Sequence, residues 1–349
     1  MAQLSRRRAL QALGLSALAL PLSGCVMEGE GPGRGVAGGS AHEIYLDYAT
    51  YNPLSLIIKA KGWLEKVAGA HGQTVTWVYS AGSNKANESL RAGVVDVGST
   101  AGSAALLARA NRSPIRTIDL FSQPEWSALV RTPDSPVRTV ADLAGTSVAA
   151  TKGTDPYFFL LQSLGAAGMS AQDITVVNLQ HADGRTALDT GQVAAWSGLD
   201  PVMAAAEKAG DVLFHRQLEF NTYGFLNARE VFLQLNPTGA QDVVNTYAYA
   251  RQWALQHPEE GIAILAEGAS IDRDTARRVW QRTHLDIDPV PGPEQLAVLE
   301  RVGPILVESG DVSSQQDVDE ALANIVEQHY AQHADAAAVA QVIEGKQSS

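Results

Sequence analysis

Leu90-Arg91-Ala92-Gly93-Val94-Val95-Asp96-Val97-Gly98 reads as the end of a helix, a glycine, and a strand that follows at once. About a hundred residues later, Leu188-Asp189-Thr190-Gly191-Gln192-Val193-Ala194-Ala195-Trp196 repeats the arrangement. In both stretches the glycine stands where a helix closes in left-handed backbone, a conformation that glycine enters without steric cost. The spacing is too long for a solenoid repeat. The echo therefore points to two α/β lobes built on one plan.

Around these stretches the chain alternates short apolar runs with amphipathic ones. Ile44–Tyr48, Val75–Tyr79, Val94–Ser99, Thr117–Phe121, Ser127–Arg131, Ser147–Ala150, Ile174–Leu179 and Val193–Trp196 are expected as strands. Helical patterns fall between many of them: Leu54–Val67, Lys85–Ala92, Ala104–Ala110, Pro156–Leu164, Arg185–Thr190 and Val202–Ala209. Such alternation predicts parallel sheets covered by helices, with ligands at the loops that leave the carboxyl ends of the strands. From about Asn236 onward helical patterns take over: Gln241–His257, Pro258–Glu267, Arg273–Thr283, Pro293–Ser309, Val318–Tyr330 and an Ala-rich tail beyond His333. Pro133-Asp134-Ser135-Pro136 is a turn cluster between the two βα runs, and Tyr223–Asn227 is an extended return. Two crossings of this kind describe a hinged, two-lobed receptor.

The amino terminus reads as an address. Ser5-Arg6-Arg7-Arg8 precedes an apolar run to Leu20, and Leu22-Ser23-Gly24-Cys25 follows. A basic start, a short apolar run and a small-residue cleavage site make an export signal, too short to span a bilayer. Its end resembles a bacterial lipobox, and Ser-Arg-Arg-x-x-Leu resembles a twin-arginine signal. These resemblances imply a signal peptide over 1–24, lipidation of Cys25, and work in the periplasm or on the outer side of a membrane. The Gly-rich residues 25–41 are expected as a tether. Cys25 is the only cysteine, which excludes an internal disulfide and any Cys-rich metal site. A net charge of −12 argues against nucleic acid as a partner. No cofactor or metal is expected: the eight histidines are mostly scattered, and no phosphate-binding Gly-rich loop with Lys-Ser/Thr is present.

Four stretches resemble one family: Glu88–Gly98, Leu129–Gly145, Thr151-Lys152-Gly153-Thr154, and Gly191–Trp196 with Asp200-Pro201. The family is that of solute-binding lipoproteins of ABC importers, in its aliphatic-sulfonate, taurine and nitrate group. The resemblance runs from about Ile44 to Glu207. It implies an α/β, two-lobed periplasmic-binding-protein fold (type II-like) with a hinge and a helical C-terminal third. Lobe I would comprise 42–130 plus 228–345 and lobe II 131–227, with hinges near Arg131–Asp134 and Tyr223–Asn227. It also implies a monomer that captures a small anionic solute, hands it to an ABC permease, and catalyses nothing. Ala194 departs from the family's usual acidic residue, and Asp155 stands where sulfonate binders commonly carry a small hydroxylated one.

The residues themselves mark the site as well. The strand-to-helix loops carry hydroxyls, amides and glycines, and helix N-termini there offer free N–H groups to an anion. Ser80, Ser83 and Asn84 around Gly82 form the first candidate cradle, and Thr100 with Ser103 the second. Asn52, Thr154, Asp155, Asp183 and Asp200 complete the polar set, and Trp126, Tyr157 and Trp196 could line an organic ligand. Ser83, Asn84, Thr100, Asp155 and Asp200 are also preferred helix-capping types. An ionised Asp155 in the cleft would repel an anion and favour an amine or a heteroaromatic ring, such as a thiamine pyrimidine. As a cap it would favour nothing. A sensory or scaffold lipoprotein on the same lobes and an enzyme on the same fold are the remaining rivals.

Overall fold

The helix Ser83–Ala92 ends at Gly93, with φ 71° and ψ 19°, and the chain turns through residues 94–96 into a strand at Val97–Ala101. Gly191, at φ 70°, leads in the same way to a strand at Ala195–Leu199. Both strands start a few residues after the apolar run begins, because the residues behind each glycine make the turn. These features come from a computed structural model that describes residues 41–345. The expected export signal, Cys25 and nearly all of the tether lie outside the described residues.

The strands are β1 (Glu43–Tyr48), β2 (Thr74–Tyr79), β3 (Val97–Ala101), β4 (Ile115–Ser122), β5 (Ser127–Arg131), β6 (Ser147–Ala150), β7 (Thr175–Asn178), β8 (Ala195–Leu199), β9 (Val212–His215) and β10 (Gly224–Arg229). They form two five-stranded sheets, ordered β2-β1-β3-β10-β4 and β7-β6-β8-β5-β9. The strands after the two echoing glycines, β3 and β8, hold the third place in each order.

The sheets are mixed rather than parallel. β1 runs parallel to β2 and β3, and β6 parallel to β7 and β8. β10 is antiparallel to β3 and β4, and β5 to β8 and β9. Each of these two reversed strands is entered from the other sheet without a crossover helix, so it runs against its neighbours.

The crossings fall at residues 123–126 and 216–223, ahead of the turns that the sequence suggested. β5 thus belongs to the second sheet, and Gly224–Asn227 to the first. β9, a short, half-buried strand paired only with β5, carries no sequence signal that stood out.

Helices surround both sheets. The expected helix Leu54–Val67 is broken by Gly62 (φ 62°) into Pro53–Lys61 and Trp63–Ala70. Pro237, Pro258 and Pro293 each open a C-terminal helix, where proline's missing N–H is harmless. The helix Gln315–Asn324 stops short of Tyr330, because Thr117 of β4 takes the chain into a bridge: its N–H donates to Ile325 O and its carbonyl accepts from Glu327. Among the described residues no helix is long and apolar enough to cross a membrane.

Candidate functional site

The helices that follow the carboxyl ends of the strands bring their N-termini to the boundary between the two sheets. Three of these ends are filled by a side chain. Asn52 caps the helix Pro53–Lys61 by accepting the Ser55 N–H, and Asp200 caps the helix Val202–Ala209 by accepting the Ala204 N–H at 2.9 Å. In the helix Gly102–Ala110 the Ser103 N–H goes to Thr222 Oγ1 at 3.2 Å. The helix Asp155–Ala166 holds its own carboxylate at its first residue.

Two of the ends without a side-chain cap face each other. They are the helix Ser83–Ala92 after β2 and the helix His181–Asp189 after β7. They meet at Gly82, where an added Cβ would stand 2.9 Å from Asn84 Oδ1 and 3.0 Å from His181 Nε2. Both of those atoms are buried without a hydrogen-bond partner among the described residues. The other ring nitrogen of His181, Nδ1, lies 3.2 Å from Thr151 Oγ1, whose hydroxyl donates to Leu179 O at 2.7 Å. Thr151 can therefore only accept, so Nδ1 carries the hydrogen and Nε2 presents a bare lone pair. Burial pushes the His181 pKa down to about 4.

Asp155 is the second meeting point. The sequence suggested an N-cap; Thr154 occupies that position instead, and Asp155 is the first helical residue. Its carboxylate accepts from Ser103 Oγ (2.6 Å), Trp126 Nε1 (2.7 Å), Thr222 N (2.8 Å) and Thr222 Oγ1 (2.7 Å). Ser103 belongs to the first lobe and Trp126 and Thr222 to the two crossings. One carboxylate thus ties the lobes and both crossings together. Burial raises its pKa, against the pull of those donors.

The third is ionic. Arg282, on the C-terminal helix Arg273–Arg282, reaches Asp200 at 3.4 Å and Glu207 at 2.5 Å, and Lys208 reaches Asp272 at 2.6 Å. On the second-lobe helix Val202–Ala209, Ala204 packs with Ile262, Leu265 and Val279.

The remaining candidates lie elsewhere. Ser83 turns inward, its hydroxyl accepting the Ala101 N–H at 2.9 Å. Asn52 and Thr100 are buried in the first lobe, Asn52 donating to Ser99 and Tyr247 and Thr100 accepting from Asn227. Below them Asp47 accepts from the Ser99 N–H and hydroxyl, with Ser80 beside it; burial raises its pKa to about 7. Thr154 donates to Thr151 O.

Trp126 is buried against Tyr51 and Phe121 rather than open to the boundary. Trp196 is fully buried in the second lobe's core under Gly184, which its ring leaves no room to enlarge. Tyr157 is buried beside Phe158, its hydroxyl turned to Ser309 and Asp311. Asp183 is exposed on the His181 helix. The sequence alone does not single out Thr222 or Arg282. Their partners come from segments far apart in the chain, so no local pattern marks them.

The sequence pattern described as NMT1/THI5 like matches residues 56–261, more than half of the chain. An Escherichia coli protein named for binding aliphatic sulfonates is 31% identical over 196 residues, which are 55% of this chain and 61% of that protein. The alignment thus spans less than two thirds of that relative. The alkanesulfonate-binding protein SsuA from Xanthomonas axonopodis pv. citri, solved bound to MOPS, superposes with a TM-score of 0.73 at 22% identity, over 83% of this chain and 99% of that one. The desulfurization enzyme DSZB shares the fold at a TM-score of 0.61 and 13% identity, over 83% of this chain and 98% of its own.

Proposed function

We propose, for a chain that belongs to the NMT1/THI5-like family, that it is the solute receptor of an ABC importer, taking a small sulfonate-like anion between its lobes. The observation that carries this reading is the pair of uncapped helix N-termini meeting at Gly82. Helix N-termini present unpaired N–H groups and a positive dipole end, which bind oxyanions without a cationic side chain. Those local ends act at short range, within a protein whose net charge is −12. The relative named for aliphatic sulfonates supports the same chemistry.

Capture requires no bond to be made or broken. Closing around the anion would let a permease distinguish loaded from empty receptor by differential affinity for the two states. In this reading the signal over 1–24 exports the chain, and lipidated Cys25 tethers a monomeric receptor to the membrane. Lobe II would then span the second sheet from residue 127 to the second crossing, and lobe I the rest of the described chain. The shared fold of a desulfurization enzyme does not alter this, because fold alone does not carry chemistry.

One observation favours a second reading. His181 Nε2 and Asn84 Oδ1 are both acceptors, which suits a heteroaromatic solute with N–H donors, such as an aminopyrimidine. Calorimetric titration of the exported protein with ethanesulfonate, taurine, nitrate and an aminopyrimidine separates the two. One sulfonate bound per chain is expected. Binding of the aminopyrimidine alone would replace the anion by the ring.

A further inference from the structure

Deepening the proposed anion site, and resting on it, we infer that His181 takes up a proton as the anion binds, so that affinity for a sulfonate rises as pH falls. The geometry leaves the ring few other roles. His181 is 4% exposed, its Nδ1–H is committed to Thr151, and its Nε2 faces Gly82 of the other lobe with no partner. A bare lone pair in that position repels an oxyanion. A protonated Nε2 donates to it and adds a full positive charge beside two helix N-termini. Asn84 meets the same need by turning its amide half a turn, which presents Nδ2 in place of Oδ1.

The charged groups on the surrounding elements leave this proton to the ligand. Asp183 and Arg185 lie on the same helix, Lys152 on the loop after β6 and Lys85 on the facing helix. Lys85 pairs with Glu88 at 2.8 Å, and Arg185 with Asp189 at 3.6 Å. Burial is the cause that moves His181, and it keeps the ring neutral in the empty protein at physiological pH. An anion brought into contact reverses that balance, since an opposite charge favours the protonated form.

The sign follows from linkage. Below the empty-state pKa of about 4 the ring is protonated in both states, and affinity does not depend on pH. Between that value and the higher pKa of the complex, binding takes up close to one proton, and affinity falls about tenfold per pH unit. Above the pKa of the complex, affinity is level again.

The test is calorimetry of ethanesulfonate binding between pH 5 and pH 8, in buffers of differing ionisation enthalpy, on the unaltered protein and on His181→Gln. Uptake of close to one proton at pH 5, absent in His181→Gln, is the expected result. Ethanesulfonate that binds with no proton uptake and equal affinity at every pH would overturn the inference while leaving the receptor reading intact. Failure to bind at any pH would remove both. Because the uptake is read on the unaltered protein, the outcome stands even if His181→Gln does not fold.

Discussion

Asp155 shows what a single residue decides in this protein. A carboxylate at the first position of a helix is favoured by the helix dipole, and the sequence shows that much. It does not show that the carboxylate gathers Ser103, Trp126 and Thr222, which stand 52, 29 and 67 residues away. An acidic residue in a cleft loop suggests a choice between cap and ligand contact, and the structure adds a third feature, four donors from the first lobe and both crossings on one carboxylate. Asp155→Ala leaves four donors facing a void. Each buried unsatisfied group costs on the order of 1–3 kcal/mol, partly recovered by water. Denaturant unfolding should show a loss of about 2–3 kcal/mol. An unchanged midpoint would mean that the carboxylate does not hold the crossings.

Among the elements, the helix–glycine–strand unit was the most legible part of the fold. Gly93 and Gly191 marked where helices end, and the strands behind them took equivalent places in the two sheets. Proline likewise located the starts of two C-terminal helices, at Pro258 and Pro293, whereas the helix expected from Gln241 begins at Pro237. The direction of β5 and β10 was not legible, since an apolar run carries no sign of which way its neighbours run. The same blindness moved the crossings by several residues.

Two glycine substitutions separate stability from binding at this scale. Gly191 has φ 70° and nothing within 4 Å of an added Cβ, so Gly191→Ala meets only backbone strain. It should lose about 1 kcal/mol of stability, read by chemical unfolding, with ligand affinity unchanged. Gly82 has extended backbone (φ 174°), so Gly82→Ala costs little there, but its methyl group enters the space between Asn84 and His181. Sulfonate affinity should fall at least tenfold, about 1.4 kcal/mol, with the melting temperature nearly unchanged. Equal affinity for Gly82→Ala would place the anion elsewhere.

For the whole molecule, the lobes are held by hydrogen bonds at Asp155, by ion pairs from Arg282 and Lys208, and by the apolar contacts of Ala204. None of these was visible in the sequence, because each joins segments that only the two crossings bring together. Several buried carboxyls also give the fold a pH dependence. Burial raises Asp47 and Asp119 to about 7 and Asp200 to about 6. The folded protein then keeps protons that the unfolded chain has already released. This contribution to stability is fully present below the ordinary carboxyl pKa and is lost as pH rises through about 6–7. Asp142, Asp272 and Asp317 are held below their ordinary values by hydrogen bonds and ion pairs, so their contribution is lost as pH falls through those depressed pKa values. The melting temperature should therefore peak in mildly acidic buffer and decline toward pH 8. A rise over that range would contradict the burial of these groups.

The most direct measurement is a crystal structure of the protein grown with ethanesulfonate at mildly acidic pH. Sulfonate oxygens should lie about 2.7–3.2 Å from backbone N–H groups at the starts of the Ser83 and His181 helices and from His181 Nε2. A sulfonate bound away from both helix ends, with His181 Nε2 still unpartnered, would contradict the anion site at Gly82.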